Sequence, residues 1–352
     1  MANGHQTRPE VISAHMKIAE PIKTSIDLSS LPSTQPAYTA KRQTREELAE
    51  ADMTHTAEEL ITDGFRYVPW ENNGVRLLVA GDEKKVFGAV VGQPKGDSWR
   101  EAVEAVTQLM LKEGAQANFA HKEQHHRRGH FPATNVGTTH SQSSEEPFNL
   151  NNGQHSGMVE RLLADENVQR VAAFASASFR LVAPRIYSQY KTTLDKLFEK
   201  MPLLRRIFPK SVFPTCAFNF GPRVCTSKHR DVLNCPYGLC AIQALGYFDS
   251  TKGGHVILWE PKLIIELPPG AIIFIPSAVI THSNTPVRDG EIRLSFTQYC
   301  PGGLIRFVDH GFRLERDIKA NDKKYYAEIC RERPYRWKKA LSLLSTLSEL
   351  RT

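Results

Sequence analysis

TSKHRDVLN, residues 226–234, places a His and an Asp two positions apart, with an Asn three beyond the Asp. Alone, His229-Arg230-Asp231 is unremarkable, because the chain has 13 His and a polar surface turn uses the same residues. Its meaning depends on whether a third ligand stands further along the chain. Ile280-Thr281-His282-Ser283-Asn284 supplies one, and Arg293 lies inside GEIRLSF. Between and around them run AFNFG, LCAIQALGYFD, GHVILWE, LIIELP, AIIFIPS and IRLSFTQY. These short β-branched or aromatic segments are joined by turns such as Lys252-Gly253-Gly254 and Pro268-Pro269-Gly270. Many short strands separated by turn residues predict a sandwich or barrel over 212–308.

Each part of this pattern has a chemical reason. Fe(II) in oxygen-activating enzymes is held on one face by two imidazoles and one carboxylate, leaving positions open for a 2-oxo acid and dioxygen. Alternate residues of an extended segment point the same way, so His229 and Asp231 can face one ion while Arg230 points elsewhere. His282 would reach that ion from a later strand. The distal carboxylate of 2-oxoglutarate needs a planar, charged partner, which Arg supplies bidentately. Arg293, among strongly apolar neighbours, is expected to be that anchor, since an unpaired Arg there is costly. The alternative for Arg293 is a salt bridge inside the sheet. His255, after a Gly-Gly turn, and His310, in a later loop, read as ordinary residues.

The rest of the chain bounds the answer. The 352 residues are 41% hydrophobic and 24% charged, enough for a sizeable core and too apolar for wholesale disorder. The net charge of +7 favours a polyanionic partner. No apolar run is long enough to span a membrane, and the N-terminal residues lack the apolar core of a signal peptide. The 6 Cys are expected to be reduced thiols; Cys235 and Cys240 could form half a zinc site, but no second pair is apparent. Residues 1–58 read as a flexible tail, with a short helix over 44–53 capped by Thr44. A small β-meander or hairpin comes next from 65, then an amphipathic helix over 98–114 with Ser98 as N-cap, Glu101 completing a capping box and Gly114 at its end. Residues 115–157 read as loop; within them HKEQHHRRGHFPATNVG concentrates His121, His125, His126 and His130 with two Arg, a solvated loop or a phosphate contact. Residues 158–200 are helical in period, with Pro184 breaking the run. Helices return from 316 to 352.

The stretch from about 205 to 315 carries a family resemblance. His229-x-Asp231, the Gly253-Gly254 turn, LPPGAIIFIPSAVITHSNTPV and GEIRLSFTQY resemble the Fe(II)/2-oxoglutarate dioxygenases. More narrowly, with SFTQYCPGGLIRFVDHGFR, they resemble the fungal branch of the TET/JBP family, which oxidises methylated or thymine bases in nucleic acid. The resemblance implies an α+β chain with a double-stranded β-helix (jelly-roll) core flanked by helices. The chain would then divide into the 1–58 tail and a single dioxygenase domain, 59–352, with its catalytic core at 205–315. It also implies Fe(II), 2-oxoglutarate and O2 as cofactor and co-substrates, with metal ligands His229, Asp231 and His282 and the 2-oxoglutarate anchor Arg293. The expected partner is double-stranded DNA with methylated bases, met by a monomer in the nucleus.

A methyl group inside a duplex must be brought to the metal, so base flipping is expected. Asn219 and Asn234 are candidates for the base edge; Asn234 stands where the family has a polar base-reading residue, three past the metal-binding Asp. An amide both donates and accepts, so it serves cytosine or adenine. Tyr299, six past Arg293, is the expected base-stacking residue. Phosphate contacts are sought in KMPLLRRIFPK (200–210), HHRRGH (125–130), KHR (228–230) and RERPYRWKK (331–339). Two other readings remain: a 2-oxoglutarate oxygenase acting on RNA, protein or a small molecule, and a catalytically dead jelly-roll binding module.

Overall fold

The apolar runs read from the sequence between 212 and 308 become strands because their side chains find burial on both faces. The computed structural model describes residues 9–49, 53–72, 74–81, 84–141 and 143–352. In chain order the first strands are β1 (Glu20–Thr24), β2 (Arg66–Val68), β3 (Val75–Ala80), β4 (Lys85–Val91), β5 (His125–His126) and β6 (Gly129–His130). Next come β7 (Ala133–Thr139), β8 (Phe148–Asn149), β9 (Thr215–Asn219), β10 (Cys240–Tyr247) and β11 (Val256–Leu258). The last are β12 (Leu263–Ile265), β13 (Ile272–Ile275), β14 (His282–Asn284) and β15 (Ile292–Tyr299).

Nine strands form one sheet in the order β1-β3-β4-β13-β10-β15-β9-β7-β8, and four form another in the order β14-β11-β12-β2. From β9 onward the chain passes back and forth between these sheets. β9, β10, β13 and β15 pair antiparallel in the larger sheet, and β11, β12 and β14 do so in the smaller one. Val256, Leu258, Leu263 and Ile265 of the small sheet share one apolar core with Ala241, Ala244, Ile273 and Ile275 of the large one. The chain is a mixed α and β protein.

Strand alternation sorts β15 into two faces. Leu294 and Phe296 pack with Val168, Val171 and Ala172 of the helix Glu166–Val182, beneath a second layer of helices. Arg293, Ser295, Thr297 and Tyr299 therefore point the other way, into the space between the sheets. β9 divides likewise: Cys216 and Phe218 join the helical layer, leaving Thr215, Ala217 and Asn219 inward.

Three expectations need correction. From residue 9 on, the stretch expected to be a flexible tail packs onto the fold, while 1–8 lie outside the described residues. Met16, Ile22 and Tyr38 are buried, β1 pairs parallel with β3, and Arg230 binds Glu47. Apolar residues are sparse in this stretch, and their burial comes from elements far along the chain, the β3–β4 hairpin and the C-terminal helices. Only Thr44 behaves as expected, capping Arg45–Ala49; 50–52 lie outside the described residues. Of the expected meander or hairpin, the hairpin β3–β4 forms, and β2 pairs with β12. The region 115–157 contains the seven-residue strand β7 as well as loops. Gly137 is required there, at φ 119, since a Cβ would stand 2.2 Å from the Pro214 carbonyl oxygen. Finally, the first long helix is Asp97–Gln116 with Gly96 at its N-cap, and Ser98 instead receives Arg170 at 3.0 Å. Pro184 does break the helical run, starting Pro184–Lys200 at its first position.

Candidate metal centre and substrate cavity

The segment 226–231 lies beside β14. His229 and His282 exchange both backbone hydrogen bonds, at 3.0 and 2.9 Å, which brings their rings to 4.3 Å between centroids. Each imidazole is fixed from behind: Nδ1 of His229 lies 2.7 Å from the Ser227 carbonyl oxygen, and Nδ1 of His282 lies 3.0 Å from that of Ile280. A carbonyl only accepts, so Nδ1 carries the proton in both rings and each Nε2 presents a lone pair. Those Nε2 atoms stand 3.8 and 3.7 Å from the two carboxylate oxygens of Asp231. The three ligand atoms lie within 4.8 Å of one another, and no other such group of His, Cys, Asp or Glu occurs among the described residues. The six thiols, Cys235 and Cys240 included, are free.

Burial sets the ionisation. Desolvation, with the neighbouring His282, pushes the His229 imidazole down to about 3, and desolvation lowers His282 as well. Burial acts upward on Asp231, but the two His and the charges of Arg128 and Arg127 outweigh it and hold the carboxyl below its usual range. Two neutral imidazoles and one carboxylate at neutral pH are what a divalent transition metal requires. The donor set fits Fe(II).

Arg293 sits at the far end of the inward face of β15 and is 2% exposed. Its Nη1 donates to the Val224 carbonyl at 3.1 Å, and its Nε has no partner. No carboxylate pairs with it among the described residues, and burial pushes its pKa down to about 10. The salt-bridge alternative read from the sequence is therefore absent. The same Val224 carbonyl accepts from Asn284 Nδ2 at 3.3 Å. Asn284 is two residues past His282, so Val224 ties the buried guanidinium to the strand carrying the metal ligand. Gly254, at φ 72, leaves room for the Arg293 stem, since a Cβ would lie 3.2 Å from its Cδ. A buried planar cation without a carboxylate partner, linked through Val224 to the strand that carries His282, fits the distal carboxylate of 2-oxoglutarate. His255, read as ordinary, lies just past Gly254 in a buried polar chain. Its Nδ1 meets Thr285 Oγ1 at 3.0 Å, and the Tyr67 hydroxyl, bonded to Glu266 at 3.2 Å, stands 3.5 Å from its Nε2.

A cavity of about 530 Å³ opens onto Asp231. Asn135, Asn234, Tyr299, Arg127, Arg128 and Leu233 are among its walls. Asn234 donates to Ser277 Oγ at 3.1 Å, and the Tyr299 hydroxyl donates to Asn135 Oδ1 at 3.2 Å. Asn135 does not stand out in the sequence, because its strand lacks an apolar signature. Asn219 is not in the cavity wall. It is buried, donates to Ser295 Oγ at 2.9 Å, and leaves its Oδ1 without a partner on the inward face between Arg293 and Thr297.

Of the basic segments, HHRRGH reaches the cavity through Arg127 and Arg128, where Arg127 Nη1 also donates to the Arg230 carbonyl at 2.6 Å. In the other segments several residues are engaged elsewhere. Arg205 and Arg206 pair with Glu160 and Asp195, Arg230 is buried against Glu47, and Lys228 lies over Trp259. Arg333, Arg336 and Lys339 pair with Glu315, Asp309 and Glu332. Just ahead of HHRRGH, His121 stacks on His125, whose Nδ1 lies 2.9 Å from that of His130.

No protein-family model matches the chain, and no curated protein matches its sequence. Among solved structures, the chain is similar to NgTET1 in complex with 5mC DNA, at 14% identity over 74% of this chain and 92% of that one, with a TM-score of 0.48. It is also similar to an oxidoreductase of the 2OG-Fe(II) oxygenase family from Burkholderia pseudomallei, at 20% identity, 48% and 67% coverage and a TM-score of 0.26. AviO1 from Streptomyces viridochromogenes Tue57 aligns at 11% identity, 61% and 90% coverage and a TM-score of 0.31. Identities this low leave the chemistry to the residues themselves.

Proposed function

We propose that the protein is an Fe(II)/2-oxoglutarate-dependent dioxygenase that oxidises methyl groups on DNA bases, 5-methylcytosine or N6-methyladenine, after flipping the base out of a duplex. The observation that carries this reading is the pairing of a His229-Asp231-His282 triad with a buried guanidinium that has no carboxylate partner. A structural Arg would have an acid beside it; one that lacks it is built to receive an anion. Passage of successive strands between two sheets supports a double-stranded β-helix core.

When bound, iron with 2-oxoglutarate supplies oxidation of a C–H bond by dioxygen, releasing succinate and carbon dioxide. The chain's own residues do the rest. His229, Asp231 and His282 would hold the metal, with backbone carbonyls fixing the two imidazole rings. Arg293 would orient the 2-oxo acid from its distal end. Tyr299, tied to Asn135, offers an aromatic face for a base, and Asn234 offers an amide to its edge. Arg127 and Arg128 line the entrance with positive charge for phosphates. A hydroxymethyl group on a ring carbon persists, whereas on an exocyclic nitrogen it departs as formaldehyde. The protein acts as a monomer in the nucleus in this reading.

Nucleoside mass spectrometry tests it. Duplexes carrying either base are incubated with protein, Fe(II), 2-oxoglutarate and ascorbate. The expected products are oxidised cytosines, or adenine with formaldehyde. Consumption of 2-oxoglutarate with both bases untouched sinks the nucleic-acid half and leaves an oxygenase of another substrate class. No consumption at all sinks both halves.

A further inference from the structure

Between the metal ligand Asp231 and Asn234 the chain makes a turn closed by Asn234 N–H donating to the Asp231 carbonyl at 2.8 Å. Its two central residues are Val232, packed against the core, and Leu233, which is 60% exposed. Central turn positions favour Gly, Asn, Asp and Pro, so two large apolar residues there have no local reason. The turn is also held firmly. Asp231 N–H donates to Ser277 O at 2.9 Å, Gly302 N–H to Leu233 O at 2.9 Å, and Cys235 N–H to Cys300 O at 2.9 Å. A single exposed Leu is common on protein surfaces and needs no account. This one stands on the wall of the cavity that opens onto Asp231, in company with Arg42, Arg127 and Arg128.

We propose that Leu233 is the wedge that opens the duplex, filling the gap in the base stack left when the target base enters the cavity. The inference rests on the base-oxygenase reading and deepens it. A flipped base leaves an apolar slot between its neighbours, and proteins that distort DNA fill such slots with Leu, Ile, Met or Phe. Leu233 has the chemistry, the exposure and the rigid backing. The three Arg supply the charge that brings a polyanion, and a duplex in particular, to this face. Because Leu233 and Asn234 are adjacent on one fixed turn, insertion of the first sets the second at the base edge.

The test uses the full-length protein loaded with Fe(II) and 2-oxoglutarate, and the ratio of turnover on duplex to turnover on single strand for the methylated base active in the wild type. Duplexes with 2-aminopurine beside the target report unstacking by fluorescence. Leu233→Ala is expected to lower the ratio at least ten-fold and to abolish the fluorescence rise. A mismatch opposite the target, which weakens the pair beforehand, is expected to restore most of the ratio, and Leu233→Met to retain it. Leu203→Ala is the matched control, since Leu203 is 92% exposed and outside the cavity wall. An unchanged ratio in Leu233→Ala overturns the wedge, as does an equal fall in Leu203→Ala or failure of the mismatch to restore it. A wild type inactive on both duplex and single strand overturns the base-oxygenase reading, and the wedge with it.

Discussion

Arg293→Met separates a residue kept for function from one kept for structure, because the two roles give opposite signs. Burial pushes the Arg293 pKa down to about 10. Against an ordinary value above 12, that depression corresponds to about 3 kcal/mol borne by the folded, ligand-free chain. The folded pKa lies below the unfolded one, so the folded state resists the proton. The penalty is present in full below about pH 10, fades as pH rises toward the unfolded value, and is complete at neutral pH. Met keeps much of the stem and removes the charge. The Val224 carbonyl is not orphaned, since Asn284 still donates to it at 3.3 Å. Ligand-free Arg293→Met should therefore melt about 2–5 °C higher than the wild type. Loss of one partner of a buried charged pair costs about 3–5 kcal/mol, so the KM for 2-oxoglutarate should rise about 10²–10⁴-fold. A thermal melt with and without N-oxalylglycine and Mn(II) reads both effects at once. At a hundred-fold excess over Kd the wild type gains about 2.7 kcal/mol, and the variant should gain almost nothing. A variant that melts lower than the wild type yet keeps its ligand-induced shift would refute the reasoning and make Arg293 a structural residue.

Replacing His282 by Ala removes one of three ligands and should weaken metal binding by at least 10²-fold. Metal content after dialysis against Fe(II) or Mn(II) checks this, with circular dichroism to confirm the fold. Tyr299→Phe loses only the hydroxyl bonded to Asn135 at 3.2 Å and should keep activity within about ten-fold. Tyr299→Ala loses the stacking face, worth about 1–3 kcal/mol, and should lower kcat/KM on methylated DNA by about 10–100-fold while leaving the KM for 2-oxoglutarate unchanged. His126 is partly buried with neither ring nitrogen bonded, and burial together with Arg128 pushes its pKa down to about 4. Its folded pKa lies below the unfolded one, so it withdraws stability as pH falls from about 6.5 to about 4, and no further below that. His126→Phe should flatten the melting temperature against pH across that window; an unchanged slope would assign the acid sensitivity to other groups.

What was legible in the sequence divides along physical lines. The triad and Arg293 could be read because a His-x-Asp pair in an extended segment has only one way to aim both side chains, and because a charge inside IRLSFTQY demands an explanation. The core strands could be read because burial on both faces leaves unbroken apolar runs. The N-terminal residues could not, since apolar residues are sparse there and Met16, Ile22 and Tyr38 find their partners far away in the chain. Asn135 shows a deeper reason. Its strand, ATNVGTT, turns Val136 to the helical layer and sends Asn135 and Thr139 to the cavity wall. A strand that lines a polar site must give up half of its apolar signal, and Gly137 removes more of it where Pro214 passes close. The residues that handle a substrate are thus hidden by the property that fits them to do so. Leu233 is hidden as well. Nothing in DVLN marks it in the sequence; only the structure shows it exposed at the centre of a tight turn, on the cavity wall beside Asp231 and Asn234. Pattern reading therefore finds the His-Asp-His triad and the buried Arg, which need rigid, repeated geometry, and misses the cavity wall, where polarity and exposure invert the rules that make strands and turns recognisable.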